Sequence, residues 1–229
     1  MKKVVVILSG GMDSSLTAYI MKNRGYEIVP LHFSYGQRTE KRELQAFHDI
    51  SNSLNVIGRY TIQLPFFKDI GIGTTSLIDR DMQINEKGVS TSSIPNSYVP
   101  FRNGIMLSIA TAVAEKEGAE GIAIGVVEED SSGYPDCREN FISTFEKSIN
   151  LGTKQGKFRI FRPLVNLHKS EIVREAIRYG VPLHLTWSCY QREDKACGVC
   201  DSCRLRLNGF KLAGVKDPIE YVENTKYKG

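Results

Sequence analysis

Five consecutive apolar residues, Val4-Val5-Val6-Ile7-Leu8, stop at Ser9-Gly10-Gly11. A β-branched run with no polar alternation belongs in a central parallel strand, buried on both faces. Lys2 and Lys3 precede it, but the run is too short for the apolar region of a secretory signal. After the glycines, Leu16, Ile20 and Met21 recur at helical spacing, and Gly25 ends the segment. Tyr26 to Phe33 then reads as a second strand. Strand, glycine turn, helix and strand in this order form a unit whose two strands lie parallel, so the chain is expected to be α/β with a doubly wound parallel sheet.

The rest of the chain continues this pattern with one interruption. Lys41 to Leu54 reads as a helix and Ile57 to Leu64 as a strand. From Pro65 to Pro100 the sequence is polar, rich in Gly, Ser and Pro, and without a sustained period. A stretch of that kind is expected to be a lid, a binding loop or disorder. Helical spacing returns from Asn103 to Glu117. It is followed by a strand at Gly121–Val127, a helix at Asp136–Leu151, a strand at Phe158–Phe161 and an amphipathic helix at His168–Tyr179. Beyond Gly180 and Pro182 the character changes, because 187–206 holds four of the five cysteines. The expected division is an α/β domain over residues 1–183 and a small metal-binding helical module over 184–229. With 229 residues in all, that is one large domain and an appendage. No run of eighteen apolar residues is present, so no membrane span is expected and the protein reads as cytoplasmic.

The glycine turn marks the first candidate site. Ligands of parallel α/β sheets bind at the carboxyl ends of strands, and a helix N-terminus there offers free N–H groups to phosphate. Ser9-Gly10-Gly11-Met12-Asp13-Ser14 lacks the Lys of a Walker A loop, the third glycine of a dinucleotide fingerprint and the G-x-S-x-G of a nucleophile elbow. The bland alternative is a plain turn with Asp13 capping the helix. The residues match the Ser-Gly-Gly-x-Asp-Ser signature at every position, and in this strand–turn–helix setting the chain resembles the PP-loop ATP pyrophosphatases. That resemblance implies that Leu8, Ser9, Gly10, Gly11, Met12, Asp13, Ser14 and Ser15 hold the pyrophosphate end of ATP.

The second site is Cys189, Cys197, Cys200 and Cys203, spaced C-x7-C-x2-C-x2-C. Short C-x2-C turns place two sulfurs on one ion, and zinc accepts four thiolates in a tetrahedron. A lone cysteine is usually a small buried apolar residue, but four in a polar stretch point to metal. The bacterial ferredoxin run would want Cys at 207 followed by Pro, where the sequence has Leu207-Asn208. A closed set of four thiolates leaves no open position, so one structural Zn²⁺ per chain is expected, tethering the helix near Arg204–Ala213.

The remaining motifs carry two readings each. Arg102 and Asn103 either cap a helix or stand at the ATP site. Asp136 and Arg138 lie in a Gly- and Pro-containing turn or in a substrate loop. Cys137 is either a nucleophile or a packing or pocket-lining residue, and the sequence offers no activating partner for the first. Lys169 opens a helix, either solvated or reaching the ATP phosphates. Taken with Tyr35-Gly36-Gln37-Arg38, Tyr98-Val99-Pro100-x-Arg102-Asn103, Ser132-Gly133-Tyr134-Pro135-Asp136-Cys137-Arg138 and Ser188-Cys189-Tyr190, they make the chain similar to the 7-cyano-7-deazaguanine synthase family over about residues 4 to 213. Thr39 is a departure from the family's more usual His.

The resemblance implies ATP-dependent conversion of 7-carboxy-7-deazaguanine and ammonia to a nitrile through adenylated acid and amide, on the route to queuosine. It implies Mg²⁺ bridging the phosphates, catalytic roles for Asp13, Ser14 and Lys169, substrate binding by Arg102, Asn103, Asp136 and Arg138, and a homodimer. The main rival is a PP-loop enzyme that modifies tRNA; a non-enzymatic nucleotide-binding module is another. The formal net charge is +4, and four thiolates with one Zn²⁺ would lower it by two. With no basic cluster carrying interleaved aromatics, no nucleic-acid partner is expected.

Overall fold

The computed structural model describes residues 2–56, 58–86, 94–128 and 133–222. Five strands form one all-parallel sheet in the order β3-β2-β1-β4-β5, with β1 at Lys3–Ile7, β2 at Glu27–Ser34, β3 at Tyr60–Gln63, β4 at Gly121–Ala123 and β5 at Arg159–Phe161. The chain winds outward from β1 through β2 to β3, then returns to the other side of β1 for β4 and β5. The switch point therefore lies between β1 and β4, where the crevice of such a sheet opens.

Alternation along β1 explains the layering. Val5 and Ile7 face one core with Val29, Leu31 and Phe33 of β2 and with Leu107 and Ala110. Val4, Val6 and Leu8 face the other, with Ala18, Met21, Phe47 and Ile50. Helices α4 (Arg102–Glu117) and α5 (Glu139–Gly152) cover the first face; α1 (Met12–Asn23) and α2 (Glu40–Ser53) cover the second. The fully buried Leu107 stabilises by roughly 1.5–3 kcal/mol relative to exposure. Helix α6 (Lys169–Arg178) begins on a reciprocal cap, in which the Glu171 carboxylate accepts the His168 N–H at 2.8 Å. Its Ile172, Val173 and Ala176 pack with Leu16 of α1 and with Phe210 of α7 (Asp201–Ala213).

Three expectations need correction. The segment 65–100 is not without structure in its described parts: α3 spans Phe67–Gly71, and Phe67, Leu77 and Ile78 are buried in the main core. Its polar appearance hid this because Arg38 supplies the order, donating to the carbonyls of Ser76, Asp79 and Met82 at 2.7, 2.6 and 2.5 Å. The strand expected at 121–127 ends at Ala123. There the chain turns so that Gly125 can press against α1: a Cβ at Gly125 would meet the Asp13 carbonyl carbon at 2.8 Å. The helix expected from Asp136 starts at Glu139, because Pro135–Cys137 forms a separate 3₁₀ turn whose Asp136 is bonded to α4. No helix among the described residues is long and apolar enough to cross a membrane.

Candidate functional site

A cavity of about 300 Å³ opens at the switch point. Its floor is the turn after β1. Gly10 takes φ +88°, and a Cβ there would lie 2.7 Å from the Ala46 Cβ, so only glycine fits. Helix α1 begins on Gly11, which has no side chain to cap it, leaving the N–H groups of the first turn available to a ligand. Ser14 Oγ accepts the Ser9 N–H at 3.2 Å and lies 3.0 Å from Ser9 Oγ, and Ser15 Oγ donates to the Gly11 carbonyl at 2.8 Å. The turn is thus rigid while its donors stay open.

Lys169 arrives from α6 and donates to Asp13 Oδ2 at 2.8 Å. Asp13 Oδ1 is buried and has no hydrogen-bond partner among the described residues. A buried carboxylate oxygen left open, beside an ammonium group, suits a hard divalent cation accompanying phosphates. Below the turn, the His32 ring lies 3.1 Å from the Leu8 carbonyl through Nδ1 and is buried against Phe47. Burial pushes its pKa down to about 4 against the pull of that carbonyl, so the ring is neutral and supports the turn as a hydrogen-bond donor.

The opposite wall is aromatic and charged. Tyr35, Tyr134, Tyr190 and Trp187 line it with Arg102, Asn103, Gln37, Glu43 and Cys137. Burial lifts the Tyr35 hydroxyl to about 12 and raises Glu43 above the usual carboxylate range. Burial works against the charge of Arg102, but the phenolic and acidic groups around it, Tyr35 and Asp136 among them, raise its pKa, so the guanidinium stays protonated. The Cys137 thiol is pushed up to about 12 by burial, which leaves it neutral and poorly suited to attack; it accepts from Asn103 Nδ2 at 3.2 Å.

The expected residues do not all reach the cavity. Leu8, Ser9, Gly11, Met12, Asp13, Ser14, Lys169, Arg102 and Asn103 line it together. Gly10 and Ser15 shape the turn from behind. Asp136 is buried one layer back, its Oδ2 accepting the Asn103 N–H at 2.9 Å. Arg138 is exposed at the start of α5, away from the cavity lining. Residues 129–132, part of the expected substrate loop, lie outside the described residues.

The cysteine segment closes the remaining side. The four sulfurs lie within 4.8 Å of one another, all buried, and Cys197 Sγ is 3.8 Å from Cys203 Sγ. Zn–S bonds of about 2.3 Å in a tetrahedron separate sulfurs by roughly 3.8 Å, whereas a multi-iron cluster between the thiolates would hold them further apart. Backbone N–H groups of Cys197 and Cys200 point at Cys189 and Cys197 Sγ at 3.4 and 3.3 Å, the arrangement that stabilises thiolate charge. Thr39 joins this segment to α2, its one hydroxyl proton shared between Glu43 Oε1 at 2.8 Å and the Cys189 carbonyl at 3.1 Å.

Residues 3–214 match the family described as queuosine biosynthesis protein QueC. A 7-cyano-7-deazaguanine synthase of Nautilia profundicola is 62% identical over 222 residues, covering 96% of this chain and 99% of that protein. One from Sulfurimonas denitrificans is 60% identical over 222 residues, covering 96% and 98%. The chain belongs to the QueC family. It is an enzyme of queuosine-precursor biosynthesis that acts on small molecules. Among solved structures, a 4-thiouridine synthetase–RNA complex with bound ATP superposes with a TM-score of 0.53 at 17% identity, over 93% of this chain and 50% of that one. An NMN synthetase from Francisella tularensis gives 0.51 at 16%, over 94% and 78%. At such identities these two share the fold with the QueC chain.

Sequence motifs pointed at two ends of this QueC site and passed over its middle. Gln37 and Glu43, Trp187 and the tyrosines were not marked for the cavity. Arg206 was also missed. It is almost fully buried, pairs with Asp217 through Nε and Nη2 at 2.7 and 3.0 Å, and donates to Thr186 Oγ1 at 2.8 Å. The Tyr35-Gly36-Gln37-Arg38 motif was the available signal for the first group. Nothing local in sequence signals the Arg206–Asp217 pair.

Proposed function

We propose that this chain converts 7-carboxy-7-deazaguanine and ammonia to 7-cyano-7-deazaguanine at the expense of two ATP. The observation that carries the reading is the uncapped N-terminus of α1, opening with Asp13 and Lys169 into the same cavity as Arg102 and three tyrosines. A phosphate end and a ring-binding wall in one cavity suit an adenylating enzyme with a planar substrate.

A carboxylate resists ammonia because it is anionic and its oxygen leaves poorly. Its oxygen attacks the α-phosphorus of ATP, the bond to the bridging oxygen breaks and pyrophosphate leaves. Ammonia adds to the acyl adenylate, AMP departs and a proton is lost, giving the amide. The amide oxygen then attacks the α-phosphorus of a second ATP, displacing pyrophosphate, and loss of AMP with two N–H protons leaves the nitrile. The first-turn N–H groups of α1, Ser9 and Ser14 hold the phosphates, where fixed donors stabilise charge as it develops. Lys169 adds a cation beside them. Asp13 would hold Mg²⁺, which would supply further charge neutralisation at the phosphates. Arg102 and Asn103 bind the substrate, with Asp136 placing Asn103. Arg138 joins them only if the exposed start of α5 folds over the bound substrate.

The four cysteines hold one Zn²⁺, whose chemistry is structural: a closed thiolate set offers no position for substrate. We assign residues 1–183 to the α/β body and 184–229 to the zinc segment, and place the enzyme in the cytoplasm as a homodimer. Incubation with ATP, Mg²⁺, ammonium and 7-carboxy-7-deazaguanine, followed by mass spectrometry, is expected to yield the nitrile and two AMP per product. ATP binding without nitrile formation would sink the reading, and AMP release that depends on RNA would favour a tRNA-modifying activity instead.

A further inference from the structure

Arg102 enters the cavity from the first turn of α4, facing the glycine turn across the same space. Its Nη1 donates to the Tyr35 hydroxyl at 2.9 Å, and its guanidinium carbon lies 5.6 Å from the Tyr35 ring centroid. No other hydrogen bond and no ion pair to the guanidinium is found among the described residues. Two carboxylates act on it through space, Asp136 and Glu43. Both are engaged elsewhere. Asp136 Oδ2 takes the Asn103 N–H at 2.9 Å, while Glu43 takes the Thr39 hydroxyl and the Gln37 amide at 2.8 and 3.1 Å.

A guanidinium in a partly buried pocket normally pairs with an anion, and its planar fork fits a carboxylate through two parallel bonds. Here the fork is fixed at one corner by a neutral phenol, and the rest of its donors face a cavity. The phosphate end already has its own donors in α1 and its own cation in Lys169. The arginine is therefore left for the other anionic group in the reaction.

Resting on the function proposed above, we propose that Arg102 grips the carboxylate of the acid substrate and aims its oxygen at the α-phosphorus, with Tyr35 fixing the guanidinium. This gives Arg102 a role confined largely to one half of the reaction. The acid of the first half carries a full negative charge; the amide of the second half carries none. Asn103 and the tyrosines contact the ring in both halves, so they serve both substrates.

The experiment supplies the acid and the amide (7-amido-7-deazaguanine) separately to the wild-type enzyme and to Arg102→Gln and Arg102→Lys, and reads nitrile or AMP by mass spectrometry. Truncating one partner of a desolvated charge pair lowers kcat/KM for the acid by roughly 10²–10³-fold. The amide is expected to lose clearly less, on the order of tenfold, since it offers the guanidinium a neutral acceptor and no ion pair. Arg102→Lys keeps the charge without the fork and should fall between, mainly through KM for the acid; it also serves if Arg102→Gln does not fold. Equal losses on acid and amide by a folded variant would overturn the assignment. A wild-type enzyme that makes nitrile from neither substrate would instead overturn the underlying function.

Discussion

The turn at Ser9–Ser14 and the loop at Cys189–Cys203 border one cavity and are joined by a hydrogen bond from the Trp187 N–H to the Gly10 carbonyl at 2.9 Å. The turn takes its shape from what flanks it: a strand buried on both faces, a helix packed on the sheet, and a glycine squeezed against Ala46. Its open donors can wait for a ligand because the backbone is already fixed. The cysteine loop has almost no regular structure of its own until α7 begins, and four of its buried side chains are thiols. Four sulfurs crowded this closely could hold a metal ion. A site that binds and releases ligand in each turnover must stand without it; a site that only builds a wall can depend on its ion.

If that contrast holds, metal removal should have the largest effect of any change. Chelation, or Cys200→Ser, is expected to release about one zinc per chain by elemental analysis. It should lower the melting temperature steeply, since structural zinc sites contribute on the order of 10 kcal/mol to folding of small modules. Iron with a visible charge-transfer band would break the comparison from the metal side.

Next comes Asp217→Ala. It strands the buried Arg206 charge beneath the cavity and should cost about 3–5 kcal/mol in denaturant unfolding. Loss of less than about 1 kcal/mol would mean that the segment after α7 is not needed to hold the wall.

The turn should respond the other way, in rate rather than stability. Ser14→Ala or Asp13→Ala is expected to lower AMP formation by roughly 10²–10³-fold with the fold intact and a loss in unfolding of only about 1 kcal/mol, because fixed donors act where charge develops. A variant that unfolds would show that the turn, like the loop, depends on its side chains for shape. The smallest effect should come from Cys137→Ala: a neutral buried thiol contributes packing, so turnover should stay within roughly threefold. A complete loss would make Cys137 a reactive group and sharpen the division between the fifth cysteine and the other four.

Much of the architecture was legible in the sequence where one short segment carries the whole signal. The β-branched run Val4–Leu8 could only be a central strand, and Ser9–Ser14 could only turn it into a helix at the carboxyl edge of the sheet. Elements blurred at edges and turns. Gly121–Val127 reads as one apolar strand, yet its second half leaves the sheet to let α1 approach. The 65–84 stretch shows no period because its order comes from Arg38, far back in the chain.

The sequence by itself determined the parallel α/β order, the glycine turn and the four-cysteine cluster, because strand burial, helix entry and C-x2-C spacing are local properties of a few consecutive residues. Only the tertiary structure decided which side chains share the cavity. Lys169 meets Asp13 across 156 positions and Arg102 meets Tyr35 across 67. Those pairings follow from how the helices pack on the two faces of the sheet, and packing is a property of the assembled layers that no single segment encodes.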